Sequence, residues 1–407
     1  MIKNKDPMLE NNIINIVKLQ NCTGCGACIN ICPKQALVYS HEKYKFIVPA
    51  IDESQCIDCG RCKNVCPALH IEKKSHKAVY AAMAVDESLR ILSSSGGIFG
   101  SIATYLINNG WIVYGCAMDS EFVVKHIRID NLEELPKILK SKYVQSNLEN
   151  IYHQILHDLK EGRKVLFAGT PCQVSAVNNC TPKIYKKNIL TVDIVCHGVP
   201  SQAFYNSYLD YLSLRNGKIE KYTFRAKRQV NNGMSWFFSY KTNRSNKTYF
   251  RNWPEDTYNY LYMMSYIYRE SCYNCHYASS DRPGDITLCD YWGWEKYHNE
   301  FSIGSTVSGV ILNSNKAEDI FDKIKGSLKM IPTDISKIIV NNGCLVSPSV
   351  KPPQRDTILD VWLESGFSVI DKAYKKRSIK CRFKCLLMRV IPQNIMNQLF
   401  SFKLRKG

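Results

Sequence analysis

Two copies of one cysteine pattern open this chain: Cys22-x-x-Cys25-x-x-Cys28-x-x-x-Cys32-Pro33 and Cys56-x-x-Cys59-x-x-Cys62-x-x-x-Cys66-Pro67. Together they use eight of its 18 cysteines. A segment that must gather eight thiolates has little freedom to fold in any other way. Three thiolates spaced by two residues curl round one face of an iron–sulfur cubane, and the fourth lies too far along to close it. In such a run the fourth cysteine ligates the other cluster. The spacing therefore predicts one 4Fe–4S cluster on Cys22, Cys25, Cys28 and Cys66, and a second on Cys56, Cys59, Cys62 and Cys32. Gly24, Gly26 and Gly60 let the backbone pass close to the inorganic sulfides. Zinc is the alternative, but it takes four ligands and usually shows paired C-x-x-C knuckles.

The chain has 407 residues, 45% of them hydrophobic and 22% charged, which is ordinary for a globular protein of two or three domains. No stretch reaches about 18 uninterrupted apolar residues, so no membrane-crossing helix is expected. The N-terminus lacks a basic segment followed by an apolar run, so no secretory signal is expected. Cysteines in such number then point to a reducing compartment, the cytoplasm, where thiols serve metals. The net charge of +18 is tail-weighted: residues 371–407 hold eleven Lys and Arg against one acid. No nucleic-acid module accompanies the charge, and nucleic acid is not an expected partner. In the tail Ile379, Phe383, Leu386, Leu387 and Val390 share a helical face, which suits an anionic surface at the inner face of a membrane or an acidic protein.

The pattern along the chain divides it into a di-cluster 4Fe–4S module of the ferredoxin type (15–70), an α/β region (78–218), a strand-rich region with many aromatics (219–356) and a basic helical tail (357–407). In the second region strands at 78–85, 111–118, 164–168 and 189–195 alternate with glycine-bearing turns and helices. This is the signature of an α/β sheet whose strand ends carry ligand-binding loops. The third region begins with aromatic strands at 222–225 and 235–240. A tyrosine-rich helix over 257–269 then leads into Cys272-x-x-Cys275, and strands follow at 286–290 and 308–312.

Cys272-x-x-Cys275 is a second metal-ligand signature, and its two thiolates need two partners. Cys172, in the turn Gly169-Thr-Pro-Cys, and Cys196, before His197-Gly198, stand at strand ends where a sulfur is presented. A third 4Fe–4S cluster on Cys172, Cys196, Cys272 and Cys275 is expected, with Cys289 as the substitute ligand and inert thiols as the alternative. Cys116, Cys180, Cys344, Cys381 and Cys385 are read as ordinary thiols. Ser93-Ser-Ser-Gly-Gly97 at a helix start offers backbone N–H groups and hydroxyls to an anion, and Lys142 to Ser146 adds a cation. Neither a complete G-x-G-x-x-G nor a Walker A sequence is present.

Taken in order, Ser93–Gly97, Ser141-Lys-Tyr-Val-Gln-Ser146, Gly169-Thr-Pro-Cys-Gln173, Cys196-His-Gly-Val-Pro-Ser201, Cys272-x-x-Cys275 and Asp285-Ile-Thr-Leu-Cys-Asp-Tyr-Trp-Gly293 resemble the coenzyme F-420 hydrogenase/dehydrogenase beta subunit family with its N-terminal ferredoxin module. The resemblance runs from about Cys22 to Asp356. It implies a multidomain α+β and α/β protein: a ferredoxin-like module, a central α/β flavin-binding domain and a mixed α/β iron–sulfur domain, followed here by the basic tail. It implies FAD held against Ser94, Ser95, Gly96, Gly97, Lys142, Gln145, Gly169, Thr170, Pro171 and Gln173, with the third cluster beside it. Where the family commonly has Gly, this chain has Cys289.

A flavin converts between single electrons and a hydride, which explains clusters and flavin on one polypeptide. The expected function is an oxidoreductase passing electrons between 4Fe–4S clusters and FAD, with hydride transfer to or from a small molecule, coenzyme F-420-like or other. His197 is the candidate proton donor. The alternative is an electron-transfer subunit without its own substrate that serves a protein partner.

Overall fold

A computed structural model describes residues 12–230 and 233–377. The tail positions Ile379, Cys381, Phe383, Cys385, Leu386, Leu387 and Val390 lie outside the described residues. Among the described residues no helix is long and apolar enough to cross a membrane.

Thirteen strands are described: β1 (Leu37–His41), β2 (Ile47–Ile51), β3 (Ala78–Ala84), β4 (Ile112–Met118), β5 (Val124–Ile129), β6 (Val165–Gly169), β7 (Ile189–Ile194), β8 (Ile219–Val230), β9 (Gly233–Thr242), β10 (Ser245–Arg251), β11 (Ile286–Asp290), β12 (Ser308–Leu312) and β13 (Leu328–Pro332). β1 and β2 form an antiparallel ribbon in the cysteine-rich module. β8, β9 and β10 form an antiparallel meander. The other eight make one sheet in the order β13-β3-β12-β11-β7-β6-β4-β5. The sequence boundary at 218/219 does not divide this sheet, because β3 to β7 lie before it and β11 to β13 after it.

β4, β6, β7 and β11 are mutually parallel and central. Their near-continuous apolar runs follow from burial on both faces. Alternation in β6 makes the point. Leu166 joins the core beneath helix Ile98–Asn108, which presents Ile98, Ile102 and Leu106 one turn apart. Val165 and Phe167 face the opposite core, with Ile151, Ile155 and Leu159 of helix Ile151–Lys160. Cys25, Ala27 and Val65 of the cysteine-rich module belong to that second core, so the module is packed onto the body.

The expected tyrosine-rich helix is shorter than its aromatic run. It spans Thr257–Met263, and the chain then turns at Ser265, a non-glycine residue with φ of 61°. Tyr273 Oη donates to the Ser265 carbonyl at 2.5 Å and holds this turn. The early stop frees the residues before Cys272 to leave the helix axis.

A buried ion pair ties the segment before β11 to β7. Arg282 Nη2 and Nε meet Asp193 Oδ1 at 2.7 and 3.0 Å, with the two side chains 1% and 0% exposed. Gly284 N donates to the other carboxylate oxygen at 2.8 Å. Removing one partner leaves a charge buried and uncompensated. Asp193→Ala is therefore expected to cost about 3–5 kcal/mol of stability in denaturant unfolding; a loss below about 1 kcal/mol would show that water or rearrangement satisfies Arg282.

Candidate redox centre

The duplicated sequence folds as duplicated geometry. Helix Ala27–Asn30 follows Gly26 at φ 76°, ψ 1°, and helix Arg61–Asn64 follows Gly60 at φ 68°, ψ 1°. Each left-handed residue turns the chain so that the next cysteine faces back toward its neighbours. A cavity in the module is lined by Cys22, Cys25, Cys28 and Cys66, the quartet expected from the crossed pairing, together with Ile13, Val17 and Pro67. Burial pushes the Cys28 thiol well up, and Cys25, Cys22 and Cys66 push it further; Cys66 rises to about 12 by burial and then Cys25. In the second copy Cys59 is exposed and Ile57 is 57% exposed.

The copies differ in what they face. The Cys22–Cys25 loop lies against the body. Tyr152 Oη donates to the Cys25 carbonyl at 2.8 Å, and Gln145 Nε2 to the Thr23 carbonyl at 3.2 Å. A Cβ on Gly24 would fall 2.6 Å from Gln145 Nε2 and 2.7 Å from the Ile47 carbonyl, at a φ of 64°. Asp58 occupies the equivalent left-handed position of the second copy, at φ 49°.

The third expected set also comes together. Cys172 follows β6, near the start of helix Pro171–Cys180, with its Sγ 3.2 Å from Thr170 Oγ1. Cys196 follows β7. Cys272 lies within the tight turn Glu270–Asn274 and Cys275 directly follows it; Cys272 N donates to the Arg269 carbonyl at 3.0 Å. By accessible surface all four are half-buried, yet protein crowds each of them. That desolvation, reinforced by Cys275, pushes Cys172 up to about 12, and Cys272 rises to about 12 for the same two reasons. Cys196 is pushed up well above the usual range by burial and then by Cys272, Cys172 and Cys275. Thiols in this state hold their protons at neutral pH unless a metal centre replaces them. Gly198, at φ 146°, lets the Cys196 turn pass the Tyr268 ring, which a Cβ would approach to 2.3 Å. Among the described residues no three His, Cys, Asp or Glu side chains converge on a single-ion site. One zinc ion would need its sulfurs about 2.3 Å from a common centre.

Cys289 stands apart. Its Sγ lies 3.6 Å from the Gly309 carbonyl, and the charges that act on it are Asp290, Arg282 and Asp193. Cys344, read from sequence as an ordinary thiol, is buried close enough to Cys275 to be pushed up by it, after burial itself. Cys116 is near Lys142, and Cys180 near Cys25.

The parallel strands end together at Met118, Gly169, Ile194 and Asp290, the edge where open α/β sheets bind ligands. Antiparallel β12 begins there, so the Ser93–Gly97 turn reaches the same edge. Ser95 Oγ donates to the Val307 carbonyl at 3.2 Å, Gly96 N donates to Ser308 Oγ at 2.9 Å, and Gly97 caps the following helix. Ser94 Oγ accepts from Ser141 N at 2.7 Å. Other expected flavin contacts are occupied within the protein. Lys142 Nζ donates to the Cys116 and Leu139 carbonyls, each at 2.7 Å, and burial brings it down to about 8. Gln145 belongs to the module contact, and Gln173 accepts from Thr170 N at 3.1 Å and donates to the Ser146 carbonyl at 3.1 Å. Pro171 is buried at the helix start.

Across this edge lies the meander, which motif reading left without a role. Lys227 Nζ donates to the Ser95 carbonyl at 2.6 Å and to Thr306 Oγ1 at 3.1 Å; burial, then Arg225, brings it down to about 7. Arg225 pairs with Asp290 at 2.6 Å and stacks 3.7 Å over Trp236. His197 is exposed beside Asp290, its carbonyl accepting from Ser349 Oγ at 2.7 Å. No short motif marks Arg225 or Lys227; the aromatic–basic alternation of β8 and β9 was the only available sign.

Residues 162–337 match the family described as the C terminus of the coenzyme F420 hydrogenase/dehydrogenase beta subunit. Residues 21–69 match the 4Fe-4S dicluster domain. No curated protein matches the chain. Among solved structures, a chain of the F420-reducing [NiFe] hydrogenase complex from Methanosarcina barkeri, determined as a xenon derivative, is 17% identical, with 75% of this chain and 94% of that chain covered and a TM-score of 0.44.

The isolation of Cys289 yields a direct comparison. Cys172→Ser is expected to lower bound iron by about four atoms per chain, whereas Cys289→Ser leaves it unchanged by metal analysis. Equal losses in the two variants would place Cys289 in the ligand set.

Proposed function

From a chain that joins a 4Fe–4S dicluster domain to a beta-subunit region of the coenzyme F420 hydrogenase/dehydrogenase family, we propose an iron–sulfur flavoprotein oxidoreductase acting on a small redox substrate, coenzyme F-420-like or other. The observation that carries this reading is the gathering of Cys172, Cys196, Cys272 and Cys275 from separate parts of the chain, beside the inner quartet of the module. Burial and then Cys275 and Cys272 act on Cys172, and Cys25 of the module adds to them. When bound, 4Fe–4S clusters carry single electrons and FAD exchanges them in pairs as a hydride.

The chain's own residues then have distinct roles. The Ser94–Gly97 turn and Thr170 line the carboxyl edge, the end of an open α/β sheet at which cofactors bind, with Gly96 N and Thr170 N spent on Ser308 Oγ and Gln173 Oε1. Lys142, Gln145 and Gln173 hold the surrounding loops through carbonyl and amide contacts. His197, exposed at the same edge, is the proton donor or acceptor for the substrate. The meander, anchored by Lys227 to the Ser95 carbonyl, covers this edge and limits water.

A second reading is an electron-transfer subunit that feeds a partner enzyme. It is favoured by the exposed Ile57 and Cys59 on the outer copy of the module and by the internal engagement of Lys142, Gln145 and Gln173. An anaerobic inventory of iron, acid-labile sulfide and extracted flavin separates the two. The flavoenzyme is expected to hold about twelve irons and one FAD per chain. About eight irons without flavin would remove it and leave the subunit reading.

A further inference from the structure

Four arginines are described as buried: Arg225, Arg269, Arg282 and Arg355. Three are ion-paired, to Asp290, to Asp193, and to Glu270 with Asp356. Arg269, 3% exposed, meets no carboxylate among the described residues. Its Nε donates to the Cys22 carbonyl at 2.7 Å, its Nη1 to Gln145 Oε1 at 3.2 Å, and its Nη2 to the Ile47 carbonyl, with Cys22 Sγ 3.9 Å from Nη2. The guanidinium also lies 5.4 Å from the Phe46 ring centre. A buried cation without a counter-charge costs several kcal/mol, more than neutral carbonyls return. Space is nonetheless kept for it: a Cβ on Gly24 would stand 2.8 Å from Arg269 Cζ.

We infer that Arg269 is an electrostatic tuning residue whose counter-charge is the iron–sulfur cluster of Cys22, Cys25, Cys28 and Cys66. The inference rests on the cluster reading of that quartet and reaches the third one through the backbone. Arg269 N donates to the Val199 carbonyl at 2.9 Å, and its own carbonyl accepts from Cys272 N at 3.0 Å. One residue thus touches the module by its side chain and starts the loop carrying Cys272 and Cys275 by its main chain. Reduction of the inner cluster by a one-electron donor adds one negative charge and takes up no proton, since the guanidinium is already protonated. A fixed cation beside a cluster sulfur favours that reduced form, because net charge and hydrogen bonding at the sulfurs set cluster potentials.

The test is a dithionite titration of the anaerobically loaded full chain, followed by electron paramagnetic resonance, for the unmodified protein and Arg269→Gln. The expected result is a reduction equilibrium about tenfold less favourable, about 59 mV for one electron, in one cluster signal of the module, while the signal of the outer cluster stays in place. Arg269→Lys, which keeps a cation but not the fork, should fall between. Unchanged midpoints in a fully loaded Arg269→Gln protein, or equal shifts in every signal, would overturn the inference. If Arg269→Gln does not load, Gln145→Leu, which removes the guanidinium's orienting acceptor, should move the same signal by less; no movement there overturns it too. Failure of the three-cluster reading shows separately, as about eight irons in the unmodified chain, with the module's midpoints still measurable.

Discussion

Thiols crowded together in a protein interior resist ionisation twice over, through lost solvation and through mutual repulsion. In this chain both effects act on Cys25, Cys28 and Cys66 of the module and on Cys172, Cys196 and Cys272, while burial raises Cys275. The rest of the architecture is arranged around that constraint. Parallel strands β6 and β7 deliver Cys172 and Cys196 at their carboxyl ends, and a helix that stops at Met263 lets Cys272 and Cys275 approach from the meander side. Sulfurs gathered so closely suit a centre that takes the place of their protons, as a 4Fe–4S cluster does with four thiolates.

The same constraint explains why a duplicated sequence is not used symmetrically. Gly24 and Asp58 hold the same left-handed conformation, yet at Gly24 a side chain would strike Gln145 and Arg269 of the body, besides Ile47 of the module's own β2. The first copy of the module is therefore committed to the interior, while the second presents Ile57 and Cys59 outward. The link His70–Lys77 is polar, but the contact itself shares a hydrophobic core through Cys25, Ala27 and Val65. Tyr277 reinforces it, donating to the Pro67 carbonyl at 2.6 Å two residues beyond Cys275.

Much of this was legible from residues alone, and what was not has a physical reason. Fixed cysteine spacing made the module readable, and the apolar runs of β3, β4, β6 and β7 made the sheet readable, because both signals are local. β5 and β13 were missed. β5 intersperses half-buried Lys125, Ile127 and Arg128 with buried residues, and β13 is a half-buried strand beside β3, so neither shows a continuous apolar run. The site residues missed, Arg225, Lys227 and Arg269, act across long sequence separations and carry no motif. Lys142, Gln145 and Gln173 were noticed for their chemistry, but their polar groups are spent on neighbouring backbone and side chains, a choice only packing decides.

The buried cations also differ in kind. Lys142 and Lys227 face carbonyls and hydroxyls, and burial brings them down to about 8 and about 7, so they can give up their charge and still donate hydrogen bonds. Next to Cys22 the chain places arginine instead, whose guanidinium stays protonated even in the interior and spreads its donors over several acceptors. A lysine at 269 could reach one or two of the Cys22, Ile47 and Gln145 oxygens but not span all three at once. Residue type thus follows what each place requires. Where the interior needs hydrogen bonds, a lysine that can become neutral suffices, and where it needs a permanent positive charge beside sulfur, only arginine supplies it.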